Sequence, residues 1–373
     1  MSSEPKKILL HPPVVGDLDR EYVVAALDSG WVAPAGPDLA EFEAELAALA
    51  GTEAALCLSA GSAGLHLGLL SLGIKPGDEV VVQSATFAAT AFAVAHAGAV
   101  PVFCDSESTT GNIDPELLDT FLADRASRDQ LPMAVITVDL FGYCADYDRL
   151  RAVCDTNGVA LLQDAAEAVG SSAQGAMAGS HGDLGVFSFN GNKVITTSGG
   201  GALLGPAEAL ELPRKLGTQA REPALHYEHE MIGYNYRLSN VLAALGRAQL
   251  ASLDERTIAR RRLHGRYVDE LGDLNWFPQG VTTTWNHWIS VGFLPDGVDP
   301  TETCHALDER GVECRPFWKP MHMQPVFDGN EVLGGDVSEQ MFATGICLPS
   351  SHVMTSDDQD RVIDGLQSVL ETA

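Results

Sequence analysis

Between residues 50 and 205 short, nearly continuous apolar runs alternate with longer stretches of mixed polarity. The runs are AALCLS (54–59), EVVVQS (79–84), AVPVFCD (99–105), MAVITVDLF (133–141), VALLQD (159–164), GVFSF (185–189) and GALLG (201–205). Their length and their turn-like borders predict strands. Helical segments at 62–72, 87–98, 114–124 and 146–157 separate the first five. Strands apolar on both faces, alternating with helices, predict a mostly parallel sheet covered on both sides. Ligands of such sheets bind beyond the carboxyl ends of the strands, so chemistry is sought just after each run.

A different rhythm begins near residue 238. Leu238, Val241, Leu242, Leu245 and Ala248 recur at helical spacing, and the pattern continues through DERTIARRRLHGRYVDEL (254–271). This predicts one long helix linking a large domain to a C-terminal one. In that helix Arg260, Arg261 and Arg262 read as a solvated face. Beyond it, WISVGFL (288–294) reads as a strand, 301–310 as a helix, RPFWKPMHMQPVF (315–327) as a proline-rich connection and 356–371 as a final helix. For 373 residues one large and one smaller domain are expected, divided as 1–240, with an N-terminal arm over 1–50, and 241–373.

Composition narrows the classes. With 23 basic against 51 acidic residues the net charge is −28, which leaves little for a basic, counterion-releasing face, so a nucleic-acid partner is not expected. No run of eighteen apolar residues exists, so no membrane span is expected, and the prolines after the first short apolar patch argue against a signal peptide. The seven cysteines are odd in number, lack a C-x-x-C pair and sit largely in apolar runs, as in a reducing compartment; the cytoplasm is the expectation. His226 and His229 stand three apart without further ligands, and no metal site is expected.

Three segments carry candidate chemistry. Ala60-Gly61-Ser62-Ala63-Gly64 follows the first strand, where small residues let backbone N–H groups approach an anion; an ordinary strand–helix turn has the same composition. It lacks the spacing of a dinucleotide fingerprint or a P-loop, which weighs against a nucleotide-dependent oxidoreductase. Asp164 ends VALLQD, placed to orient a cation or ring nitrogen or to cap a helix, and Glu167 follows three residues on. In FSFNGNKVITTSGGGALL (187–204), Ser188, Asn190 and Lys193 precede Gly199-Gly200-Gly201, and Lys193 is the one charged residue between Asp183 and Glu208. An amine in such surroundings is placed for Schiff-base chemistry. Pyridoxal phosphate needs this set: an amine for its aldehyde, a carboxylate for its ring nitrogen, donors for its phosphate and a flat apolar group, which Phe87 offers after the second strand.

From SGWVAPAGPDLAEFE (29–43) to GICLPSSH (345–352) the chain resembles the DegT-type sugar aminotransferases, fold-type I pyridoxal-phosphate enzymes with a large domain and a smaller C-terminal α/β domain. QDAAEAVGS (163–171), GYNYRLSNVLAALGRAQL (233–250), FSFNGNKVITTSGGG and RPFWKPMHMQPVF carry the resemblance, which is nearest to the branch acting on UDP-linked 4-keto-6-deoxy sugars, as in bacillosamine formation. Glu167 stands where many members carry histidine; the glutamate form is that of the UDP-sugar branch. The resemblance implies Lys193 as the Schiff-base lysine, Asp164 as partner of the pyridine nitrogen and Phe87 stacked on the ring. Gly61, Ser62 and Ser188 would hold the phosphate, with Ala63, Glu167 and Asn190 around the cofactor. It further implies a homodimer with shared active sites, Asn235 reaching the neighbour's phosphate, L-glutamate as amino donor, and Trp31, Arg237, Arg315, Lys319 and His322 near a nucleotide sugar. A deoxygenase of the same fold, in some of which histidine replaces the lysine, and a non-catalytic binding protein are the rival expectations.

Overall fold

The computed structural model describes residues 6–277 and 284–372. Two helices, α1 (Asp17–Asp28) and α2 (Pro37–Ala50), open the chain. The alternation then runs β1 (Ala54–Leu58), α3 (Gly61–Ser71), β2 (Glu79–Gln83), α4 (Ala88–His96), β3 (Val100–Cys104), α5 (Pro115–Ser127), β4 (Ala134–Val138), α6 (Tyr147–Asn157) and β5 (Ala160–Asp164). A small hairpin, β6 (Ser172–Ala173) and β7 (Ala176–Met177), precedes β8 (Leu184–Ser188) and β9 (Gly201–Gly205). Helices α7 (Glu211–Gly217), α8 (Asn240–Ala251) and α9 (Leu253–Glu270) lead to β10 (Asn275–Trp276), β11 (Ser290–Phe293), α10 (Pro300–Asp308) and β12 (Arg315–Pro316). Last come β13 (Val332–Leu333), α11 (Asp336–Thr344), β14 (Gly345–Leu348) and α12 (Ser356–Leu370).

Local chemistry sets several of these boundaries. Asp114 accepts from the N–H groups of Glu116 and Leu117 at the head of α5, where Pro115 gives up no needed donor. At the other end of α2, Gly51 takes the left-handed conformation (φ 70°) that stops the helix.

The large sheet has the order β1-β9-β8-β5-β4-β2-β3-β13. β9 runs antiparallel to both β1 and β8, and the remaining pairs are parallel. Val80 and Val82 enter one apolar core while Val81 enters the opposite one, as Leu162 and Leu161 do on β5. Burial on both faces is why these strands read as unbroken apolar runs. The second sheet, β10-β11-β14-β12, is antiparallel and packs over a third core that includes Tyr267, Leu307, Val312, Ile346 and Val362.

Three expectations change. The single long helix is two, α8 and α9, interrupted at Ser252 (φ −106°, ψ 9°), whose hydroxyl donates to the Gln249 carbonyl and accepts from Arg256 Nε. Arg260 does not belong to a solvated face: it is 2% exposed, with Leu253, Arg256, Leu263 and Tyr267 on the buried stripe of α9, while Arg261 and Arg262 face outward. The two units also interleave along the chain rather than parting at residue 240. Ile8 bridges to Val312 in the smaller unit, and β13, from the C-terminal part, joins the large sheet beside β3. Among the described residues no helix is long and apolar enough to cross a membrane.

Candidate active site

The carboxyl ends of β1, β2, β4, β5 and β8 open on one edge of the large sheet, and the glycines entering β9 meet them there because β9 runs the other way. A cavity of about 900 Å³ lies along this edge. Its walls take Gly61 and Ser62 after β1, Phe87 and Thr90 after β2, Asp164 at the end of β5, Ser188 at the end of β8, and Asn190 and Lys193 beyond it. Trp288, Arg315, Trp318 and Lys319, from the C-terminal part of the chain, complete the lining.

Lys193 sits in the turn between β8 and β9, where its N–H donates to the Asn190 carbonyl at 3.0 Å. Only 11% of its side chain is exposed. Its Nζ donates to Glu167 Oε1 at 3.2 Å and lies 4.0 Å from the ring centre of Trp288, whose indole N–H is fixed by the Asn192 carbonyl at 2.7 Å. The other Glu167 oxygen accepts from the Phe141 N–H at 2.7 Å. Burial pushes the Glu167 carboxyl up to about 7, against the pull of Lys193 and that backbone donor.

Asp164 is buried, with Oδ2 accepting from the Thr90 hydroxyl at 2.7 Å and Oδ1 from the Ala166 N–H at 3.1 Å. No helix follows it, so the carboxylate closes a turn rather than capping a helix. Burial raises its pKa, and Thr90, Ala166 and the Lys193 charge oppose the rise.

The start of α3 is built for an anion. Its N-cap is Ala60, which has no side-chain oxygen to satisfy the first-turn N–H groups, and the helix dipole adds positive potential there. Glycine is required to bring the pieces this close: a Cβ on Gly61 would lie 3.0 Å from the Ser188 Cβ, and one on Gly201 would collide with the Gly61 nitrogen. Phe87, 60% exposed at the head of α4, presents its ring to the cavity with Trp318 edge-on at 5.8 Å. An amine, a buried carboxylate, an uncapped helix start and an open aromatic face thus share one cavity, and together they fit pyridoxal phosphate.

The family model described as DegT/DnrJ/EryC1/StrS aminotransferase family matches residues 14–367. The chain belongs to that family. It is 44% identical to EpsN of Bacillus subtilis (strain 168), provisionally named a pyridoxal phosphate-dependent aminotransferase, over 98% of this chain and 97% of that one. Identity to the GDP-perosamine synthase of Caulobacter vibrioides is 35%, covering 99% of this chain and 100% of the other. A crystal structure of a DegT DnrJ EryC1 StrS aminotransferase from Brucella abortus superposes with a TM-score of 0.88 at 29% identity, covering 94% and 95% of the two chains. As a member of this family the chain is an aminotransferase on a mostly parallel α/β fold.

Of the residues singled out in the sequence, Lys193, Asp164, Glu167, Gly61, Ser62, Phe87, Ser188, Asn190, Arg315 and Lys319 share the cavity. Ala63 does not reach its wall; buried one step into α3, it donates to the Ala60 carbonyl. Arg237 is held elsewhere, Nη1 donating to Glu43 Oε1 at 2.6 Å and to the Cys57 carbonyl at 3.0 Å. His322 is spanned between Ser84 Oγ at 2.6 Å and Glu339 Oε1 at 3.1 Å, off the cavity wall. Trp31 and Asn235 are exposed outside the cavity of their own chain, Asn235 accepting from Gln219 Nε2 at 3.0 Å. Sequence reasoning missed His11, Thr90, Trp288 and Glu313. Trp288 was visible only as the first residue of an apolar run, and His11 lies some 180 residues from Lys193 with no motif around it.

Proposed function

We propose that the chain transfers the amino group of L-glutamate to the keto carbon of a UDP-linked 4-keto-6-deoxy sugar, giving an amino sugar and 2-oxoglutarate. The cofactor is pyridoxal phosphate. The observation that carries this reading is Lys193 and Asp164 on the walls of one cavity with the open start of α3.

When bound, pyridoxal phosphate supplies an electron sink for the carbanion formed at the amino-bearing carbon. Lys193 would hold it through its amine, and that amine would serve as the base and acid at the reacting carbon. Glu167 and the Trp288 face hold the Lys193 amine in position. Asp164, with Thr90 and Ala166 fixing its two oxygens, keeps a proton on the ring nitrogen. Gly61, Ser62 and Ser188 take the phosphate, and Phe87 covers one ring face. Arg315 and Lys319 supply positive charge on the cavity wall of a chain whose net charge is −28, as a donor carboxylate or a sugar-linked diphosphate requires.

A homodimer completes this reading. Asn235 lies on an exposed stretch that also bears Leu225, Tyr227 and Ile232, all strongly exposed, and such an apolar patch calls for cover. In the partner subunit's cavity Asn235 meets the phosphate. UDP is favoured by the glutamate at 167; the GDP-perosamine synthase relative makes a GDP-linked sugar the competitor.

The test is a panel of UDP-, GDP- and dTDP-linked 4-keto-6-deoxyhexoses with L-glutamate, following 2-oxoglutarate release. The UDP sugar is expected to give the highest kcat/KM. Highest turnover of a GDP or dTDP sugar overturns the nucleotide, and no turnover of any overturns the substrate class. A deoxygenase of the same fold, in some of which histidine replaces the lysine, is disfavoured by Lys193 itself.

A further inference from the structure

Behind the cavity, where residues 8–12, the loop after Lys193, α9 and the segment 350–352 meet, basic groups are gathered with no acid bonded to them. Arg260 is 2% exposed, and its Nε and Nη1 have no hydrogen-bond partner among the described residues. Its Nη2 donates to His11 Nε2 at 3.2 Å and approaches the Val194 carbonyl at 3.5 Å. Because that guanidinium only donates, His11 Nε2 must accept, which puts the imidazole proton on Nδ1. His11 Nδ1 is also buried without a partner. So are Ser351 Oγ and His352 Nδ1, on a segment tied to the N-terminal strap by the Ser350 N–H donating to the Leu10 carbonyl.

Three N–H groups, Nε and Nη1 of Arg260 and Nδ1 of His11, are therefore orphaned together, with the Ser351 hydroxyl and a His352 ring nitrogen also unpartnered. Burial, with Arg256 beside it, pulls the Arg260 pKa down to about 9, which leaves it charged at neutral pH. Burial together with Arg260 keeps His11 and His352 neutral, His352 falling to about 3. Asp19 and Glu255 offset Arg256, but no carboxylate within 4 Å of Arg260 exists among the described residues. Water satisfies orphan donors yet leaves the charge uncompensated; an anion does both.

We infer that Arg260, His11 and the Ser351–His352 segment form an internal binding site for one small monovalent anion, chloride or a single carboxylate group. His11 also lines the catalytic cavity. The inference stands apart from the sugar and the amino donor, since it concerns occupancy in the resting protein.

Thermal unfolding of the holoenzyme at fixed ionic strength tests it, with sodium methanesulfonate as the bulky reference and bromide, chloride, formate or acetate in its place. At saturation a small anion is expected to raise Tm by about 2–4 °C. Arg260→Met should abolish this increment while keeping the far-UV spectrum. A rise with halides assigns a halide site, and a rise with formate or acetate alone assigns a carboxylate site. Should Arg260→Met fail to fold, wild-type crystals soaked in bromide decide, with an anomalous peak expected beside Arg260 Nε and His11 Nδ1. Equal Tm in every salt, with no such peak, overturns the inference.

Discussion

Lys193 and Glu167 face each other at 3.2 Å inside walls that leave the glutamate almost wholly buried. On the proposed reading, truncating the amine removes both the cofactor's anchor and the proton carrier. Lys193→Ala should lower kcat by about 10³-fold or more while near-native melting is kept, read as steady-state turnover beside calorimetry. The carboxyl groups make a pH prediction. Asp139, at the end of β4, accepts from the Tyr147 hydroxyl at 2.6 Å and Gln163 Nε2 at 2.7 Å, yet burial raises it to about 7, as it does Glu167. Between the ordinary carboxylate range and pH 7 the folded chain therefore holds protons that the unfolded chain has released. Their stabilisation is full at acid pH and disappears as pH rises through about 7, a fall of about 1–4 kcal/mol per group. Urea unfolding from pH 5 to 8 should show that decline, and Glu167→Gln should make it shallower; an unchanged slope refutes the assignment. That Lys193, Asp164 and Phe87 line one cavity was legible because each stands at or just past the end of a readable strand. Arg260 was misread because three adjacent arginines look alike until they are placed on the stripe of Leu253, Leu263 and Tyr267.

Among the elements, α3 carries the proposed phosphate site through where it begins. Gly201 on β9 lets the Gly61 nitrogen approach without a methyl between them. Gly201→Ala should displace that helix start and weaken pyridoxal-phosphate affinity about tenfold or more, given overpacking costs of about 1–3 kcal/mol. An absorbance titration of the cofactor-free protein reads this directly, and wild-type affinity would refute the close-approach argument. The seven strands read as apolar runs before residue 206 all appear in the large sheet, because burial on both faces writes itself into composition. β13 escaped because two residues are too few for any period to show. The interruption at Ser252 escaped too, since one displaced turn leaves the helical stripe on either side nearly in register.

For the whole molecule, the question is whether each catalytic centre is complete within one chain. Asn235 and Trp31 stand outside their own cavity, and on the proposed reading Asn235 reaches the cavity of a partner subunit. Mixing Lys193→Ala chains with Asn235→Ala chains should restore about a quarter of wild-type sites, because one site of each heterodimer receives both native residues. Activity no higher than that of the separate variants would favour a self-sufficient subunit. The interleaving of the two units, with Ile8 beside Val312 and Val332–Leu333 beside β3, bears on protein engineering. A chimera made by one crossover near residue 240 imports a foreign edge for its host's central sheet and strands the native leader against an unfamiliar neighbour. Swapping sugar preference between homologues by recombination thus calls for at least three junctions, one of them ahead of the first helix.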